Sequence, residues 1–124
     1  MSLPRELRLT RSREIQIARE KGTRANGGPF LAFFWLPTET SKEVDLPPPR
    51  LSVVTSRRVG NAVVRNRARR IFREIFRAHL DALPKGTQVV IIVRRSYPKY
   101  SFQDLGERYQ KVIRWWKKNQ EPTK

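Results

Sequence analysis

Residues 57–77 read RRVGNAVVRNRARRIFREIFR, eight arginines with a single acid, Glu74. The Gly60-Asn61 pair marks a turn, and Asn61 is placed to cap a helix that begins at Ala62. At ~100° per residue the side chains of that helix separate by face. Val64, Ala68, Ile71, Phe72 and Ile75 share one side, and Arg65, Asn66, Arg69, Arg70, Arg73 and Arg77 share the other. Arg67 and Glu74 lie together on one flank, with Phe76 at the opposite border. The pattern predicts a helix packed on a core, with a polycationic outer face.

A merely solvated face mixes signs, because like charges one turn apart repel and weaken the helix. Arg65, Arg69, Arg73 and Arg77 form an unrelieved row instead. Arginine suits phosphate, since its planar fork donates two parallel hydrogen bonds and stacks on bases. The row therefore points to a polyanionic partner.

The totals agree. The chain has 124 residues, with 27 Lys and Arg against 11 Asp and Glu, a net charge of +16 and a pI of about 11.5. That length predicts one domain with a single modest core. The charge predicts nucleic-acid binding that weakens steeply with salt. An anionic membrane surface would also attract it, but no apolar run approaches spanning length and no basic helix stands alone as an interfacial anchor. The opening MSLPRELRLTRSRE lacks the apolar centre of a secretory signal, and there is no cysteine for disulfides or thiolate metal sites. These features predict a cytoplasmic protein.

Outward from the basic helix, the N-terminal side predicts a short helix capped by Thr10 or Ser12, reaching Lys21 and stopped at Gly22. Arg5, Arg8, Arg11 and Arg13 read as a basic arm, with residues 1–7 loose. Pro29–Leu36, PFLAFFWL, predicts a strand with Phe30, Ala32, Phe34 and Leu36 on one face and Leu31, Phe33 and Trp35 on the other. Residues 38–49, acidic and ending in three prolines, read as an exposed connection. Leu51–Ser56 is a second strand, able to pair with the first across it. Beyond the helix, which fades over 80–83, Thr87–Val93 (TQVVIIV) is apolar almost throughout and predicts a central strand buried on both faces.

Ser101-x-x-Asp104 opens the last helix as a capping box, with Tyr100 and Leu105 as its hydrophobic staple. Phe102, Leu105, Tyr109, Val112, Ile113 and Trp116 recur at helical spacing toward the sheet, Trp115 lies off that stripe, and residues 119–124 read as loose. The order is α-β-β-α-β-α, a single-domain α+β sandwich spanning residues 1–124.

No catalytic constellation emerges. His79, the single histidine, sits at the end of the basic helix, where a structural or dipole-favoured role explains it better than general base work. Asp104 and Glu107 are explained by capping and by pairing with Lys111 or Arg108. The sequence contains no GxxxxGK[ST], no GxSxG, no carboxylate cluster for two metal ions and no metal-ligand spacing. No catalytic residue, protein-bound metal or small-molecule substrate is therefore assigned.

Gly60-Asn61-Ala62-Val63-Val64-Arg65-Asn66-Arg67, followed by Arg69, Arg70, Arg73 and Glu74, closely resembles the RNR signature of the bacterial ribonuclease P protein subunit. Weaker similarity covers the Leu9–Gly22 helix, the Pro29–Leu36 strand and VVIIVRR at 89–95. The resemblance implies an α-β sandwich with a left-handed βαβ crossover containing the RNR helix, against the usual right-handed rule. It implies a subunit that binds a large catalytic RNA, which with Mg²⁺ removes the 5′ leader from precursor tRNA. The ion would be bound mainly by the RNA partner and substrate. Arg57, Arg58, Arg65, Asn66, Arg67, Arg69, Arg70 and Arg73 would lie beside that RNA.

A separate cleft between the first helix and the sheet would hold the single-stranded leader through Arg11, Ile15, Arg19 and Phe33, with Phe33 in the place of a cleft aromatic. The family often carries phenylalanines seven and three residues before the glycine that closes this helix; here those positions are Ile15 and Arg19. An apolar contact and a guanidinium plane would replace two rings. Two other classes compete: a ribosomal protein or general RNA chaperone of similar basic α+β fold, and a protein nuclease in its own right. The RNR constellation favours the first reading, and the lack of a carboxylate or histidine cluster disfavours the last.

Overall fold

The computed structural model describes residues 3–37 and 46–119. A four-stranded sheet carries helices on both faces. In chain order the elements are α1 (Ser12–Lys21), β1 (Thr23–Asn26), β2 (Phe30–Trp35), β3 (Arg50–Val54), α2 (Ala62–Ala78), β4 (Gln88–Val93) and α3 (Phe102–Asn119). The spatial order of the strands is β1-β2-β4-β3. β2 is antiparallel to both β1 and β4, whereas β3 and β4 are parallel neighbours joined through α2.

β4 sits between β2 and β3, as its unbroken apolar run requires. Val89, Ile91 and Val93 face α2 and α3, and Val90 on the opposite face is also fully buried. This order corrects one expectation: β2 and β3 do not pair, because the more apolar strand takes the place between them. The sheet also gains β1, a polar four-residue strand turned onto β2 through Gly27-Gly28, with Gly28 at φ +90°. The observed order is thus α-β-β-β-α-β-α.

The main core fills the space between the sheet and the two long helices. Phe30 of β2 meets Phe72 of α2 edge-on at 5.1 Å, and Phe34 stacks on Trp116 of α3 at 5.0 Å. Such ring pairs add about 0.5–1.5 kcal/mol each beyond their buried area. Asn61 caps α2 as expected, its Oδ1 accepting from Val64 N at 3.0 Å. Ser101 likewise caps α3, accepting from Asp104 N at 3.0 Å. Phe76 is fully buried rather than at a border, and Phe102 is half exposed rather than packed on the sheet.

The N-terminal segment departs most from expectation. Leu3 and Leu7 are buried in the main core, and Leu9 N donates to Leu51 O at 2.8 Å, so residues 3–7 are docked against β3 rather than loose. The N-cap of α1 is Arg11, with no side-chain cap, and Ser12 is already helical. Residues 38–45 of the predicted connection lie outside the described residues. Its end is tied down: Pro49 is buried and Pro47 O accepts from Gly86 N at 2.7 Å. α3 runs through Asn119, and the tail beyond it also lies outside the described residues.

Gly22 closes α1, with its N–H on Ala18 O at 2.8 Å. Its φ of −79° is open to any residue, so the need for glycine comes from space. A Cβ there would stand 2.4 Å from Ala18 O and 3.0 Å from Phe34 O, both backbone atoms of packed elements. Gly22→Ala is therefore expected to destabilise the fold by about 1–3 kcal/mol. Urea denaturation checks this, and an unchanged midpoint would contradict the close approach.

Candidate nucleic-acid interface

Packing decides which side chains of α2 remain outside. Ala68, Phe72, Ile75 and Phe76 are buried, while Asn66, Arg67, Arg70 and Arg77 are exposed and Arg65, Arg69 and Arg73 are half-buried. The guanidinium groups are partly oriented by neighbours. Arg65 Nη1 donates to Gly60 O at 2.9 Å, and Arg69 Nη1 donates to Asn66 Oδ1 at 2.7 Å. Each has five N–H donors, so most remain available to a ligand. Burial lowers the pKa of Arg73 from its ordinary value, and the nearby charges of Arg8 and then Arg69 lower it further. It stays charged at neutral pH, but its surroundings are crowded with cations.

Arg8 was not among the residues singled out for this face. The docking of Leu7 in the main core and of Leu9 on the other sheet face brings it there, and no single period in the sequence marks it. A second addition lies at the C-terminal ends of β3 and β4. Ser56, Arg58, Arg94, Arg95 and Ser96 line a cleft of about 510 Å³ beside the N-terminus of α2. Arg57 and Arg58 are both exposed in the turn leading to that helix. Val59 and Val93 also line this cleft, and the helix N-terminus beside it adds its own partial positive charge. Val63, in the same stretch, is 75% exposed.

The other sheet face carries the residues predicted for the cleft. α1 covers part of it, packing Ala18 and Ile15 over Val90, Phe33 and Trp35. Arg19 lies over the Phe33 ring with its guanidinium carbon 5.8 Å from the centroid. Arg11, Ile15 and Arg19 follow at successive i+4 steps from the N-cap of α1, so the four predicted residues fall on one side of the molecule, with Arg11 O accepting from Ile15 N at 3.0 Å. Leu31, Ile92 and Val54 stand side by side across three strands and are half-buried, leaving an apolar floor beyond the helix. Glu14 pairs with Arg50 at 3.7 Å and ties α1 to β3. That contact lies near the surface and adds little to stability.

His79 caps the end of α2, its Nδ1 2.9 Å from Ile75 O, and a carbonyl can only accept, so that nitrogen carries the proton. Its ring tilts against Tyr109, whose buried phenol is pushed far above its usual pKa. Glu107 forms no ion pair with Arg108 or Lys111; it accepts from Gln103 Nε2 at 3.4 Å, while Arg108 donates to Gly27 O at 3.2 Å. Among the described residues no three His, Cys, Asp or Glu side chains converge as a metal site, and no helix is long and apolar enough to cross a membrane.

Fold and surface together define a small α+β sandwich with a polycationic helix on one side of its sheet and α1 packed over Phe33 and Trp35 on the other. The family described as Ribonuclease P matches residues 3–118, and the chain belongs to it. The ribonuclease P protein component of Acidothermus cellulolyticus is 30% identical over 111 residues, covering 90% of this chain and 88% of the relative. That of Desulfovibrio desulfuricans is 37% identical over 93 residues, covering 75% and 68%. The solved RNase P protein of Thermotoga maritima, in complex with 1-(4-fluorophenyl)-2-thiourea, superposes with a TM-score of 0.72 at 26% identity, covering 86% of this chain and 96% of that one. A mutant RNase P protein of Staphylococcus aureus shares the fold at a TM-score of 0.75 and 22% identity, covering 90% and 88%.

Each phosphate neutralised contributes about 0.7–0.9 to the slope of log affinity against log salt. Replacing Arg65 and Arg69 together by alanine is expected to weaken RNA binding and flatten that slope by about 1.5. Titrations at several salt concentrations measure it, and an unchanged slope would remove these two side chains from the interface.

Proposed function

We propose that this chain is the protein subunit of ribonuclease P, a partner of the catalytic RNA in removing 5′ leaders from precursor tRNA in the cytoplasm. The observation that carries the reading is the α2 face, where Arg65, Arg69, Arg70 and Arg73 stand together on a helix fixed from behind by the core. Arg57, Arg58, Arg65, Asn66, Arg67, Arg69, Arg70 and Arg73 contact the RNA subunit. Asn66 also positions Arg69, and the bond from Arg65 to Gly60 O fixes the turn that presents Arg57 and Arg58.

The leader lies on the opposite sheet face. Leader sequences differ among substrates, so backbone contact and stacking serve better there than base-edge recognition. Phe33 supplies a ring, Arg19 a guanidinium plane, Ile15 an apolar wall and Arg11 a charge at the start of α1. Two positive surfaces on one small body lower the repulsion between the RNA subunit and its substrate. This raises substrate affinity and eases Mg²⁺ uptake by the RNA. In this reading Mg²⁺ is bound mainly by the RNA partner and the substrate. The protein binds and orients, and bond cleavage belongs to the RNA.

Reconstitution at low Mg²⁺ tests this reading, with precursor tRNA, a bacterial ribonuclease P RNA, the full chain, and both together. Cleavage to a mature 5′ end is expected only in the mixture, and His79→Ala is expected to leave it almost unchanged. RNA binding without stimulation would move the chain to the ribosomal or chaperone class. Cleavage by the protein alone would contradict the division of labour.

A further inference from the structure

The floor of the α1 cleft does not end at β2. By register Phe33 stands beside Arg24, and Leu31 beside Asn26, so both rows of the floor continue onto the edge strand β1. Arg24 and Asn26 are exposed, and together with Lys111, Val112 and Trp115 of α3 they line a groove of about 550 Å³ at the sheet edge. Trp115 is 45% exposed, whereas the adjacent Trp116 is 1% exposed in the core. The indole is thus not needed to fill the interior.

The chemistry of the groove is one-sided. Its charged groups are Arg24 and Lys111, and no carboxylate lines it. Glu107, one turn from Lys111, is engaged by Gln103 instead. Asn26 Oδ1 already accepts from Gly28 N at 2.9 Å and from Arg94 Nη1 at 3.1 Å, which directs the amide NH₂ outward as a donor. A flat apolar ring, two cations and a free donor suit a ligand with a π face and anionic acceptors. An unpaired nucleotide has both, and base stacking on an aromatic side chain tolerates any base.

We infer that Trp115, Arg24 and Lys111 form a distal subsite in which single-stranded RNA leaving the Phe33 floor crosses the β1 edge and stacks on the indole. The inference rests on the leader-cleft reading above and extends it. Occupancy requires a leader long enough to pass β1, so the subsite makes affinity depend on leader length as well as on the presence of a leader.

The test uses the holoenzyme assembled from the full chain and ribonuclease P RNA, with two precursor tRNAs: one whose leader ends within the cleft, and one whose leader extends past β1. Trp115→Ala is expected to weaken binding of the long-leader substrate about tenfold and the short-leader substrate far less. Trp115→Phe should restore most of the loss, which separates stacking from misfolding, and Lys111→Ala should reduce the salt dependence for the long leader alone. Phe33→Ala should weaken both substrates. Unchanged long-leader affinity in Trp115→Ala, or equal losses on both substrates, would overturn the subsite while leaving the cleft intact. If the wild-type protein does not favour leader-bearing substrate at all, the cleft reading fails and this inference falls with it.

Discussion

Burial of β4 on both faces is the constraint on which the rest of the structure depends. An apolar strand buried fully on one face and for the most part on the other must have neighbours on either edge and helices above and below. Pairing with β2 on one side and β3 on the other meets the first need. α2 and α3 cover one face, and α1 with Leu9 covers Val90 on the other. Because β3 and β4 are parallel, the chain between them must cross from one end of the sheet to the other, and α2 is that crossing. One packing requirement thus places the arginine helix on one side of the sheet and leaves the partly covered cleft on the other.

The charge on α2 follows a different rule from its packing. Arginines one turn apart repel, and Arg73 registers both burial and the charges of Arg8 and Arg69. Such a helix is marginal by itself; here Phe72 and Ile75 hold it against the sheet, so core burial offsets the repulsion. The fold therefore presents an array of positive groups in a fixed geometry. A polyanion that docks there removes the repulsion without any need for the helix to reorganise.

The elements whose local signals agree were the ones legible in the sequence. α2 combined a cap, an apolar period and a charged face, and its start matches the structure at Asn61. The Ser101 cap of α3 and the central position of β4 were equally readable. β1 was not, because Thr23–Asn26 is short and polar and becomes a strand only through its register with β2. Nor was the docking of the N-terminus, where Leu3, Leu7 and Leu9 follow no single period and are fixed by Leu51, distant in sequence. At the site, residue types were legible and their neighbours were not. The contact of Arg19 with Phe33 joins two residues that the sequence names only separately, and the approach of Arg8 to Arg73 depends on that hidden docking.

The chain has no cysteine, so a single introduced thiol reports on one position without interference. The most direct measurement compares alkylation rates of Arg70→Cys on the exposed face of α2 and Gln103→Cys on α3, each with and without ribonuclease P RNA. The RNA is expected to slow modification at position 70 and to leave position 103 nearly unaffected. Equal protection of both, or protection of 103 alone, would contradict the assignment of α2 as the surface that meets the RNA.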